Sequence, residues 1–268
     1  MAGEASTSVG PGLPLAGEMP TSRAGLKSFR TGMDKDKDAP VARRGASEEV
    51  AAFVEQARRT PAPSASGRGR LIFALDATMS RQPTWDLAQA LQAKMFDVAA
   101  RLGGLEVQLV YFRGLSECRA SKFVTGGEGL AALMSRISVR SGQTQIRRVL
   151  GHALNETRRA KVGVLVFIGD AMEENPDELA ALAGELALHG VKAFMFQEGR
   201  DPAAGRAFQE IARLTGGAYS AFDAGASARL EALLRAAAAY AAGGHAALLR
   251  AADADPEARR LLSQVRAS

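Results

Sequence analysis

Two apolar runs in this sequence end in an aspartate: LIFALD closes on Asp76 and VGVLVFIGD closes on Asp170. Short, continuous apolar runs suit central strands buried on both faces, and such strands occur where helices cover both sides of a parallel sheet. The sequence around them agrees. Leu87, Leu91, Met95, Val98 and Leu102 step by three or four residues along one helix face, and Gly103-Gly104 closes that helix. EVQLVYF (106–112) predicts a second strand, and CRASKFV (118–124), which alternates and carries charge, predicts a short edge strand. Helical patterns near 127–138 and 145–159 flank the loop VRSGQT. Asn175-Pro176 then opens a helix with Leu179, Leu182 and Leu186 inward, and VKAFMF (191–196) is a further strand. DPAAGRAFQEIARLTGG predicts a helix closed by Gly216-Gly217, AYSAF a last strand, and Leu230, Leu233, Leu234 and Ala237 the face of a last long helix. Strands alternating with helices specify an α/β fold: a doubly wound, mostly parallel sheet with helices on both faces.

Outside this pattern the composition changes. Residues 1–45 are rich in Gly, Pro, Ser, Ala and charge, with few large apolar side chains to offset the entropy of ordering, so they read as a disordered N-terminal arm. Residues 46–69 read as a short amphipathic helix plus linker: Ser47 is placed to cap it, Val50, Phe53, Val54 and Ala57 form one face, and Thr60-Pro61-Ala62-Pro63 stops it. The folded domain is expected over 70–242, and the Ala- and Arg-rich stretch 243–268, after Gly243-Gly244, as a helical tail. The N-terminus lacks a basic start followed by an apolar run, and no stretch approaches about eighteen uninterrupted apolar residues. The chain is therefore expected to be neither exported by the usual route nor membrane-spanning. Cys118 is the only cysteine, which excludes an intrachain disulfide or a multi-thiolate zinc site and makes the cytoplasm the expected location.

The formal charge of +5 raises nucleic acid as a partner, but the excess is diffuse. Arg43-Arg44, Arg58-Arg59, Arg147-Arg148 and Arg158-Arg159 are isolated pairs, and with 6% aromatic residues there is no stacking platform, so nucleic acid is set aside. Neither a G-x-G-x-x-G turn nor a P-loop follows the first strand. Asp34-Lys35-Asp36-Lys37-Asp38 begins like a calcium-binding EF-hand loop but puts Ala39 and Gly45 where that loop needs Gly and Glu. It reads as a solvated charge run. His152 and His189 read as surface or packing residues within helices.

In doubly wound sheets, ligands gather beyond the carboxyl ends of the strands where the strand order reverses, which is where Asp76 and Asp170 should lie. After Asp76 the chain reads D-A-T-M-S, so the hydroxyls of Thr78 and Ser80 follow at steps of two. This segment resembles the D-x-S-x-S of von Willebrand factor A domains, with Thr78 in place of the first Ser. Thr144, at the end of SGQT, is similar to the family's single loop Thr, and Asp170, at the end of IGD, to its distal Asp. FQEIARLTGGAYSAFDAGASARLEALL resembles the family's closing helix, turn, strand and helix. The resemblance spans about 70–242 and implies a six-stranded sheet of order 3-2-1-4-5-6, with the third strand antiparallel.

The resemblance also implies a metal-ion-dependent adhesion site built from Asp76, Thr78, Ser80, Thr144 and Asp170, in which the hydroxyls contact the ion directly and the aspartates act largely through water. Independently, Mg²⁺ takes six oxygens in near-octahedral geometry, keeps several waters and uses one or two carboxylates, which matches three hydroxyls and two Asp. Mg²⁺, or Mn²⁺, is the expected ion. Neutral hydroxyl ligands leave it electron-poor, so an open position would favour a carboxylate from a partner protein. Met79 stands where family members often carry Gly. The expected function is a non-enzymatic, protein-binding module that scaffolds or regulates an intracellular complex, and the resemblance points to an ATPase-type partner. Two alternatives are a haloacid-dehalogenase-like, Mg²⁺-dependent phosphohydrolase, whose nucleophile motif needs a second Asp where Thr78 stands, and a metal-free scaffold in which Met79 caps the site. For the aspartates and Thr144 the competing role is capping of the following helices, and for Met172, Glu173 and Glu174 it is a solvated loop.

Overall fold

The computed structural model describes residues 67–78, 82–223 and 226–266; the arm, the amphipathic segment, Met79 and Ser80 lie outside them. Six strands are joined in one sheet: β1 (Gly69–Asp76), β2 (Leu105–Arg113), β3 (Glu117–Val124), β4 (Val164–Gly169), β5 (Lys192–Glu198) and β6 (Ala218–Phe222). Their order is β3-β2-β1-β4-β5-β6. Only the β2–β3 pairing is antiparallel. Seven helices accompany them among the described residues: α1 (Gln82–Ala100), α2 (Gly127–Met134), α3 (Ile146–Arg159), α4 (Pro176–Leu188), α5 (Pro202–Thr215), α6 (Ser227–Ala254) and α7 (Pro256–Leu262).

The period-two geometry of a strand explains how one run fills two cores. From β1, Leu71, Phe73 and Leu75 face α1, α2, α6 and α7, while Ile72 and Ala74 face α3, α4 and α5. All five are buried, as a parallel strand covered on both sides must be. The sheet's edges are treated differently. β3 leaves charge in water, whereas at β6 the Gln264 side-chain amide accepts from Tyr219 N (2.9 Å) and donates to Tyr219 O (3.1 Å), standing in for a neighbouring strand.

Two expected boundaries move. The helix near 127–138 stops at Met134, and Ile137 and Val139 instead pack against the core from a non-helical segment. The core also does not stop at residue 242. α6 continues through a kink at Gly243 and Gly244, and Leu248, Ala252, Leu261 and Val265 are buried in the same cluster as β1. Ser227–Ala254 contains an 18-residue stretch long and apolar enough to cross a membrane by length and composition (mean hydropathy 1.2), and half of that stretch is buried inside the domain. Leu230, Leu233 and Leu234 account for its packing, which is that of a core helix.

His152 on α3 is half-buried and its Nε2 lies 2.8 Å from Gln108 Oε1 on β2. Gln108 donates its own Nε2 to Ser121 O (2.9 Å), so His152 Nε2–H must be the donor. Burial lowers the His152 pKa, with Arg159 lowering it further and Glu156 opposing. The unfolded chain therefore binds this proton more readily than the fold: the contribution is complete above the ordinary imidazole pKa of about 6.5 and is lost as pH falls below it. His152→Gln is expected to flatten the fall in Tm between about pH 7 and pH 5. Parallel Tm curves for the two proteins would remove His152 from this role.

Candidate metal centre

Beyond the carboxyl ends of β1 and β4 lies a cleft of about 280 Å³. Asp76, Thr78, Thr144 and Asp170 all line it, so four of the five residues expected from sequence share one site, and Ser80 falls outside the described residues. The reversal of strand order produces this placement: β1 pairs β2 on one side and β4 on the other, and the chain leaves the two central strands in opposite directions. Asp76, Thr78 and Thr144 are buried, and Asp170 is half-buried.

Hydrogen bonds hold Asp76, Thr78 and Thr144 in place. Thr78 N donates to Asp76 Oδ1 (2.8 Å), an Asx-type turn that bends the chain so that the two side chains share the cleft. The loop bearing Thr144 is stapled to both neighbouring strand ends. Arg140 N donates to Ala77 O (3.0 Å), Gln143 N to Gly114 O (3.1 Å), and Gln145 Nε2 to Arg113 O (3.3 Å). Arg113 also donates through its guanidinium to Ser138 O while it pairs with Glu117 (2.9 Å). Gly142 seats the loop: a Cβ there would stand 2.3 Å from Gly114 N and 2.4 Å from Gly114 O, so backbone rests on backbone.

Thr144 also reaches across to the loop after β4. Its N–H donates to Glu173 Oε2 (3.2 Å), and its Oγ1 accepts from Glu173 N (3.1 Å). This reciprocal pair answers the capping alternative for Thr144, because α3 is capped from outside: Gln145 holds the N-cap position without a side-chain bond, and the Glu174 carboxylate accepts from Arg147 N (3.1 Å). Burial raises the Glu174 pKa, and the amides it accepts from oppose that shift. Glu173 lines the cleft with Ser141, Gly142 and Ala171. The contact that brings Glu173 to the cleft is with Thr144, 29 residues away in sequence.

The donors fit a hard cation. Three carboxylates, of Asp76, Asp170 and Glu173, and the hydroxyls of Thr78 and Thr144 line the cleft, and no Lys or Arg does among the described residues. Nor do any three His, Cys, Asp or Glu side chains close into a metal cage among those residues. A hard divalent cation held here would have to draw on the hydroxyl oxygens and on water beside the carboxylates. The Thr144 hydroxyl oxygen accepts one hydrogen bond from Glu173 N and has a second lone pair.

No protein-family model matches the chain, and no curated protein does. Among solved structures, the SpRpn10 VWA domain is similar, with a TM-score of 0.50 and 12% identity over 66% of this chain and 97% of that one. This chain has the von Willebrand factor A fold. Two other structures overlap it at TM-scores of 0.49: proximal thread matrix protein 1 from the mussel byssus, with a zinc-occupied MIDAS motif (18% identity, 65% of this chain, 47% of that one), and the pilus adhesin SpaC from Lactobacillus rhamnosus GG (12%, 75% and 31%). The sheet order and the single antiparallel strand are those of the VWA fold expected from sequence.

Proposed function

We propose that this VWA domain is a protein-binding module in which Mg²⁺ or Mn²⁺, held by Asp76, Thr78, Ser80, Thr144 and Asp170, receives a carboxylate from a partner. The observation that carries this reading is the cleft itself: carboxylates and hydroxyls from three loops meet where no cation of the described chain lines the wall. Such a cleft attracts a cation, and a cation held by few charged ligands retains the electrophilicity to take an anionic oxygen. The partner is then a protein presenting Asp or Glu, the ion is a bridge and not a catalyst, and the module scaffolds or regulates an intracellular complex. An ATPase-type assembly is the class of partner to which the sequence resemblance points.

Thermal unfolding under Mg²⁺ titration tests the site. At an ion concentration about 100 times Kd, linkage stabilises the domain by about 2.7 kcal/mol, which is roughly 5–10 °C in Tm for a domain of this size. Asp76→Asn and Asp170→Asn are expected to abolish that shift, and a chelator to release an acidic peptide ligand from the unaltered protein. Equal Mg²⁺ responses in all three proteins would falsify the assignment. Mg²⁺-dependent phosphatase turnover lost in both variants would replace it with the hydrolase.

A further inference from the structure

A second cleft, of about 500 Å³, lies between α1 and α6, away from the strand ends that build the metal centre. Four cations, Lys94, Arg101, Arg235 and Arg250, and one carboxylate, Asp97, line it. Lys94 and Arg235 share Glu231 at 3.9 and 3.8 Å. Arg101 and Arg250 are exposed and make no ion pair among the described residues. Between the cations the floor is apolar, formed by Val98, Leu102 and Ala239. A basic rim over an apolar floor between two helices is the surface that receives an acidic amphipathic helix.

The chain carries such a segment close by. Residues 46–57 hold Glu48, Glu49 and Glu55, with Arg58 and Arg59 directly after them before the stop at Thr60-Pro61, and carry Val50, Phe53, Val54 and Ala57 at helical spacing with Glu49 at the edge of that apolar face. The described chain begins at this cleft. Gly69 N donates to Gly104 O (3.3 Å), two residues beyond the lining Leu102, and a Cβ on Gly69 would meet Ala241 O, two residues beyond the lining Ala239. From Ala57 to Gly67 the linker spans ten residues, a reach of up to about 33 Å. The cleft follows α1 from Lys94 to its end at Ala100, about 9 Å, and continues to Leu102 in the turn beyond, a length that about two turns of helix cover.

We propose that the segment 46–57 of this chain docks as a helix in the α1–α6 cleft, its apolar face on Val98, Leu102 and Ala239 and its carboxylates toward Arg101 and Arg250. The inference does not depend on metal at the other end of the sheet. Amide hydrogen exchange on the full chain tests it: residues 47–57 are expected to exchange at least about tenfold more slowly than in a free peptide of residues 46–66. Arg101→Glu with Arg250→Glu should remove the protection, and Glu49→Arg on that background should restore part of it. Phe53→Asp, made in the segment and not in the domain, should remove it with the Tm of the domain retained. Protection that is absent in the unaltered chain, or indifferent to these substitutions, overturns the proposal. Protection that rises with protein concentration also overturns it, in favour of a second copy supplying the helix.

Discussion

Phe167→Ala is expected to lower the stability of the domain by about 3–5 kcal/mol, the range for removing a fully buried aromatic side chain, or roughly 6–20 °C in Tm. Phe167 is 1% exposed and lies at the centre of the α3–α5 face of the sheet. Its ring stacks on Phe112 of β2 at 6.0 Å between centroids and meets Phe208 of α5 edge-on at 5.3 Å, so the deletion strips contacts from two elements at once. Neighbours on a sheet strand and a packed helix cannot collapse far into the space, which places the cost high in the range. Phe167→Leu, which fills most of the volume, should cost less than half as much. Denaturant unfolding of both variants decides the point: a loss under about 1.5 kcal/mol for alanine would mean that the core relaxes around the gap.

Phe167 also shows why the frame of this fold is readable in sequence. The apolar runs that end at Asp76 and Asp170 are long enough to be strands, too short to be helices, and free of polar residues that would give them a wet face. They could only be central, and central strands ending in carboxylates put the carboxylates at the sheet's reversal point. Local spacing failed where tertiary contact overrode it. Ile137 continues the helical period of Leu130 and Met134, yet it packs on the core without helix, because the chain must turn there to bring the SGQT loop over β1. Gly243-Gly244 has the composition of a helix stop. The helix does break there, with Gly243 non-helical and Gly244 at φ 63°, and what spacing could not show is that the helical run beyond it enters the same core through Leu248 and Ala252. The Glu173–Thr144 clamp had no local signal, being a contact between two loops that only the sheet order makes neighbours.

Gly142→Ala is expected to weaken Mg²⁺ binding by about tenfold or more while costing only the 1–3 kcal/mol typical of overpacking. The position has no left-handed requirement; what it lacks is space. A Cβ would lie 2.3 Å from Gly114 N, 2.4 Å from Gly114 O and 2.8 Å from Gly114 Cα, all backbone atoms that cannot rotate away. The loop must therefore lift off the β2–β3 turn, lengthening the Gln143 N to Gly114 O bond and carrying Thr144 out of register with Asp76 and Asp170. A metal site whose oxygens come from separate loops tolerates such a shift poorly, because octahedral Mg²⁺ is strict about ligand geometry. Gly151→Ala supplies the comparison: it sits inside α3 with nothing within 4 Å of its would-be Cβ, and should stabilise by about 0.5–1 kcal/mol with metal binding unchanged. Isothermal titration of Mg²⁺ into both variants separates seating of the loop from the general effect of adding a methyl group. Equal affinities for Gly142→Ala and the unaltered protein would show that Thr144 does not need its seat on Gly114 to serve the ion.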